Sequence, residues 1–110
     1  MAGLPQRVSA RELIRLRVRE EVARFNADQA ECFRGLVRPT GTEATLNGYR
    51  VARGRRLDWE QQADAACVAF ARNGFVLLVG DRQVEDLDEE IDLSAEPVVA
   101  FVRLVALAGG

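Results

Sequence analysis

The sequence contains no histidine and no lysine; all fifteen of its basic residues are arginine. Without an imidazole there is no Ser-His-Asp or Cys-His arrangement, and both the commonest general base and the commonest metal ligand are missing. Without an ε-amine, Schiff-base chemistry and a P-loop lysine are excluded as well. The two cysteines, Cys32 and Cys67, have no CxxC partner, which argues against zinc, and two are too few for a stapled secreted scaffold. Long apolar runs are also scarce. No segment approaches the length of a membrane span, and residues 1–11 hold two arginines and a proline but no apolar stretch. Neither a signal peptide nor a spanning helix is expected, and the chain reads as cytoplasmic, with no membrane partner.

What remains is the composition of an ordinary globular domain. The 110 residues are 48% hydrophobic and 29% charged, enough for one core and too few for two, so residues 1–110 form a single domain. Fifteen cations against seventeen carboxylates leave a net charge of −2, which gives no bulk reason to expect nucleic-acid binding. An enzyme is not expected, and no catalytic residue, metal site or bound cofactor is assigned. The chain reads as a protein that binds or is itself a substrate.

Ser9-Ala10-Arg11-Glu12 has the spacing of a capping box, and Ile14, Val18, Val22 and Phe25 follow along one helical face, predicting a helix to about Asn26. Arg11, Arg15 and Arg19 form a second stripe, read as a solvated flank in preference to an anion site. Phe33, Leu36 and Val37 before Pro39 suit a short extended piece. Thr45-Leu46-Asn47-Gly48-Tyr49-Arg50-Val51 places Asn-Gly between β-prone runs, which predicts a tight hairpin. Arg53-Gly54-Arg55-Arg56 concentrates charge in a loop; contact with a phosphate or an acidic partner is one reading and a solvated loop the other. Asp58 caps a second helix with Trp59, Ala63, Cys67 and Phe70 inward, and Asn73-Gly74 stops it. Trp59 reads as a core anchor and Cys67 as a buried free thiol.

The last third is richer in β-formers. Phe75-Val76-Leu77-Leu78-Val79 is a strand broken by Gly80-Asp81, and Arg82-Gln83-Val84 returns beside it. Six carboxylates among residues 85–92 lack the spacing and the glycine of a calcium loop, and read as an acidic solvated loop. Residues 98–105 are apolar except for Arg103, which suits a strand covered on both faces or central in a sheet. The sequence then reaches Ala108-Gly109-Gly110. A Gly-Gly end has no Cβ, so it can thread a narrow tunnel and present its carboxylate to a bound nucleotide. Nine glycines in 110 positions put such a pair at a given place at roughly 0.08 squared, below about one per cent.

The run from Val76 to Asp86, then Leu87, Ile91 and Phe101-Val102-Arg103-Leu104 ending in Gly109-Gly110, resembles the second half of ubiquitin. There too a strand meets a glycine turn, a Gln-hydrophobe-Glu-Asp segment follows, and a final strand ends in a Gly-Gly tail. The helix opening Ser9-Ala10-Arg11-Glu12-Leu13-Ile14 is similar to the start of the helix that crosses the sheet in ubiquitin-like β-grasp domains. The resemblance covers residues 8–26 and 75–110. It implies an α+β, ubiquitin-like β-grasp fold with 27–74 as a helical and hairpin insertion and 106–110 as a flexible tail. The family's N-terminal hairpin is missing, so a strand lies upstream, residues 42–53 substitute, or a partner supplies one. The tail also departs from ubiquitin's, since Ala106, Leu107 and Ala108 are neutral where ubiquitin has arginines, and the family's chain-building lysines have no counterpart.

The function this resemblance implies is that of a bacterial-type ubiquitin-like protein whose Gly110 carboxylate is activated by an adenylating enzyme using ATP. The carboxylate then passes to a thiol or amine of another protein. Ala108 and Gly109 provide reach, and a surface including Leu77 and Val105 docks the activating enzyme. A conjugating enzyme or a protease is a further expected partner. Two alternatives stand beside it: a sulfur carrier with a C-terminal thiocarboxylate, as in thiamine and molybdopterin synthesis, and a non-covalent interaction module.

Overall fold

Ser9 closes a short strand and opens the first helix. Its hydroxyl accepts from the Glu12 amide at 3.1 Å while the Glu12 carboxylate accepts from the Ser9 amide at 3.4 Å, the reciprocal bonding that the Ser-x-x-Glu spacing predicts. The computed structural model describes residues 7–28, 30–95 and 98–103. In chain order these form β1 (Arg7–Ser9), α1 (Ala10–Asp28), β2 (Cys32–Phe33), β3 (Glu43–Thr45) and β4 (Gly48–Arg50). Then come α2 (Trp59–Ala71), β5 (Phe75–Val79), β6 (Arg82–Val84), β7 (Glu90–Asp92) and β8 (Val99–Arg103). The fold is mixed α+β, with two helices and antiparallel sheets ordered β1–β7, β2–β4–β3 and β6–β5–β8 among the described residues.

The predicted inner stripe of α1 is the stripe that is buried: Ile14, Val18, Val22 and Phe25. Removing each such side chain from water contributes about 1.5–3 kcal/mol before the entropy of ordering it. The stripe joins Phe33, Phe70, Phe75, Leu77, Val79, Val84 and Ile91 in one hydrophobic cluster, so the 27–74 segment shares a core with the rest. Asp58 caps α2 by accepting from the Glu60 amide at 3.0 Å. At the far end Asn73 takes a left-handed φ of 61°, and the Gly74 amide donates to the Ala69 carbonyl at 2.7 Å. A Cβ on Gly74 would lie 3.2 Å from that carbonyl oxygen, a tight approach that glycine relieves.

Several expectations are corrected. The hairpin forms, but Thr45 pairs with Gly48, so the two-residue turn is Leu46–Asn47 and Gly48 already belongs to β4. A Cβ on Gly48 would lie 2.7 Å from the Phe33 carbonyl oxygen, so the glycine serves close strand approach. Residues 42–53 do not substitute for the N-terminal hairpin that the resemblance implies, because β3 and β4 pair with each other and β4 with β2. The acidic segment is not all loop: β7 pairs with β1 and buries Ile91 completely. The stripe of α2 is also shifted, with Gln62, Ala63, Ala66 and Phe70 buried and Trp59 and Cys67 only partly so.

Candidate functional site

Strand β5 is the spine of the β6–β5–β8 sheet. Its register is Phe75 opposite Arg103, Leu77 opposite Phe101 and Val79 opposite Val99 on one face, with Val76 opposite Val102 and Leu78 opposite Ala100 on the other. Burial alternates accordingly: Phe75, Leu77 and Val79 are buried, whereas Val76 and Leu78 are half-exposed. Helix α2 meets the first face through Phe70, whose ring lies 5.8 Å from that of Phe75. Helix α1 reaches it through Arg17, whose guanidinium lies 5.2 Å from the Phe101 ring centroid.

Leu77 is 0% exposed. Its expected role in docking a partner is therefore corrected, because a side chain sealed between the sheet and the helices offers nothing to another protein. Apolar side chains reach solvent on the opposite face, where Val76, Leu78 and Ala100 are partly exposed and Val102 is 41% exposed; away from this sheet Leu46 and Val68 are exposed as well. Val98, just before β8, is 65% exposed. Period-two alternation identifies this face once one buried residue of β5 is known, but a run of five apolar residues does not reveal which set turns inward. The reading of β8 as a strand central or covered on both faces is likewise corrected. Among the described residues it pairs only with β5, lies at the sheet edge, and carries exposed valine. Val105, Ala108, Gly109 and Gly110 lie outside the described residues.

The arginine stripe of α1 is engaged by groups distant in sequence instead of being left solvated: two of its three members are paired with carboxylates and the third is stacked on an indole. Arg11 donates to Asp88 at 2.6 Å, Arg15 to Asp64 at 2.8 Å, and Arg19 stacks 5.3 Å over the Trp59 ring, which Arg15 also covers at 5.4 Å. Trp59 is thus a half-buried platform beneath two guanidiniums, not a sealed core anchor. The Cys67 thiol is pushed up in pKa by burial, with Arg15 and Arg11 partly offsetting that, so it is a poor nucleophile at neutral pH. Among the described residues no three His, Cys, Asp or Glu side chains group to hold a metal, and no helix is long and apolar enough to cross a membrane.

Comparisons with protein-family models, with curated proteins and with solved structures give no match to this chain.

Proposed function

We propose that this protein is a ubiquitin-like modifier of β-grasp type. The observation that carries this reading is the order and direction of the β6–β5–β8 sheet. A hairpin turning at Gly80-Asp81 is followed by a strand that returns antiparallel along the other side of β5, with Arg17 of α1 over the Phe101 ring of that strand. That is the strand order expected of the second half of a β-grasp domain, and the edge of β8 that has no partner strand among the described residues is where such a domain pairs its N-terminal strand. A strand from elsewhere belongs there in this reading, since an apolar edge left bare invites association.

The reacting group is the Gly110 carboxylate, whether Gly110 ends the chain as made or is exposed by a protease. Its oxygen attacks the α-phosphorus of ATP on an adenylating enzyme, forming a mixed anhydride and releasing pyrophosphate. A thiolate then attacks the carbonyl and AMP leaves. Ala108 and Gly109 give the approach its reach. The activating enzyme docks on the outer face of Val76, Leu78, Ala100 and Val102, a contiguous apolar strip that reaches solvent at Val102.

The test is expression of the N-terminally tagged chain in its own host, with and without Gly110, followed by denaturing blots and intact mass. A modifier gives reductant-resistant adducts that vanish with Gly110. A mass change replacing oxygen with sulfur, without adducts, converts the assignment to a sulfur carrier. Unmodified protein in both strains, with function intact after removal of Gly109 and Gly110, overturns it in favour of a binding module.

A further inference from the structure

Arg53-Gly54-Arg55-Arg56 projects from a turn that is fastened at both ends. Val51 and Leu57 are buried, the Val51 amide donates to the Glu31 carbonyl at 3.0 Å, and Asn26 makes a reciprocal pair with the backbone of Leu57. That pair is the Asn26 Nδ2 donating to the Leu57 carbonyl and the Leu57 amide donating to Asn26 Oδ1, both at 3.0 Å. Gly54 allows the turn through a φ of +81°, although nothing lies within 4 Å of the position of a Cβ. Facing this turn is the 39–43 loop, itself stiffened: the Arg38 guanidinium donates to the Thr42 carbonyl, and the Thr42 hydroxyl donates to the Pro39 carbonyl at 2.7 Å. Arg55 bridges the two walls by donating to the Thr40 carbonyl at 2.6 Å. Between them lies an open cleft of about 1160 Å³.

The charges in this cleft differ from those of the paired arginines on α1. On α1, arginines 11, 15 and 17 each hold a carboxylate. In the cleft Glu31 and Glu43 are present, but Glu43 faces Arg50 at 3.9 Å, and Arg53 and Arg56 have neither ion pair nor hydrogen bond among the described residues. Arg53 and Arg56 are exposed and Arg55 donates to a carbonyl, so positive charge is left unbalanced along the turn. The one aromatic lining the cleft, Phe25, is buried and packed edge-on to Phe33, so no ring face is free to stack a base.

We infer that this cleft binds a compact polyphosphate anion, recognised by the forked donors of Arg53, Arg55 and Arg56 and not through a base. Guanidinium is the side chain suited to this, since its planar donors meet phosphate oxygens two at a time. The site is independent of the chemistry proposed for Gly110.

The experiment is titration of the full chain with sodium tripolyphosphate at low ionic strength, followed by calorimetry and by amide chemical shifts. Saturable binding is expected, with the largest shifts at residues 40–42 and 53–57. R53A/R56A should weaken binding about tenfold, whereas the charge-matched pair R24A/R72A, exposed on α1 and just past the end of α2, should change it less than about twofold. Circular dichroism establishes that both variants keep the fold. Equal losses in the two pairs, or shifts elsewhere, overturn the site. Tighter binding of an oligoglutamate peptide than of tripolyphosphate overturns the phosphate assignment in favour of an acidic protein segment. ATP binding no tighter than tripolyphosphate is expected, and a strong preference for ATP would refute recognition by phosphate alone.

Discussion

The two faces of the β6–β5–β8 sheet carry similar residues in different surroundings. The inner set, Phe75, Leu77 and Val79, is sealed, while the outer set, Val76, Leu78, Ala100 and Val102, meets solvent. Side-chain chemistry does not separate them. What separates them is that α1 and α2 both reach the same side of the sheet, through Arg17 on Phe101 and Phe70 on Phe75. A sheet with one face covered usually alternates apolar and polar residues. One that stays apolar on its uncovered face leaves valine and leucine partly in water, which costs solubility unless another surface covers them.

The comparison is sharpest at neighbouring leucines. Leu77→Ala should destabilise the protein by about 3 kcal/mol, since it opens a cavity that a packed core cannot close. Leu78→Ala, one residue on, should cost about 1 kcal/mol because its site is already partly in water. Urea denaturation measures both, and equal losses would break the distinction between the faces. Asp58→Ala tests the cover itself: losing the cap of α2 should cost about 1 kcal/mol and loosen the helix that presses Phe70 on Phe75. Smaller still, Val102→Asp should change stability by no more than about 0.5 kcal/mol, as an exposed position allows. In the proposed function it should nonetheless abolish adenylation by the partner enzyme, read as loss of pyrophosphate release. Undiminished release from that variant would move the docking surface elsewhere.

Much of this architecture is legible from local physics. The capping box at Ser9, the cap at Asp58, the α1 stripe, the Asn73-Gly74 stop and the β5–β6 hairpin each follow from chemistry within a few residues. What was not legible depends on partners distant in sequence. Glu90–Asp92 is an acidic run whose strand exists only because Arg7–Ser9 pairs with it and Ile91 finds the core. Gln62 sits where a polar residue predicts solvent, yet it is buried by the rotation of α2 against α1, and its Oε1 has no hydrogen-bond partner among the described residues. The arginine cleft was visible as a cluster of charge. Its character as a site depends on Asn26, Thr40 and Thr42, which come to it from elsewhere. Leu77 was misplaced for the plainest reason, that both faces of its strand are apolar.

The weakest expected effect concerns the seam beside the inner face. Glu21 accepts from Arg17 at 3.0 Å and from the Leu36 amide at 3.4 Å, next to the guanidinium that covers Phe101. Burial nonetheless holds its carboxyl above the usual range, outweighing Arg17 and the backbone bond, so the folded protein binds this proton more tightly than the unfolded chain does. The stability Glu21 contributes is therefore fully present below its unfolded pKa and is lost as pH rises through the raised folded value. Asp92 works in the opposite sense: the Ser94 hydroxyl and amide lower its pKa, and its contribution is lost as pH falls through that lowered value. Total stability against pH mixes the two, so the measurement is a difference. Glu21→Gln keeps an acceptor for both donors and removes the buried charge. The variant should be at least as stable as the parent at pH 7, and the difference should shrink as pH falls through the carboxylate range. A difference that is flat with pH would show that Arg17 neutralises Glu21 fully, and that the seam beside the inner face is as relaxed as the open face behind it.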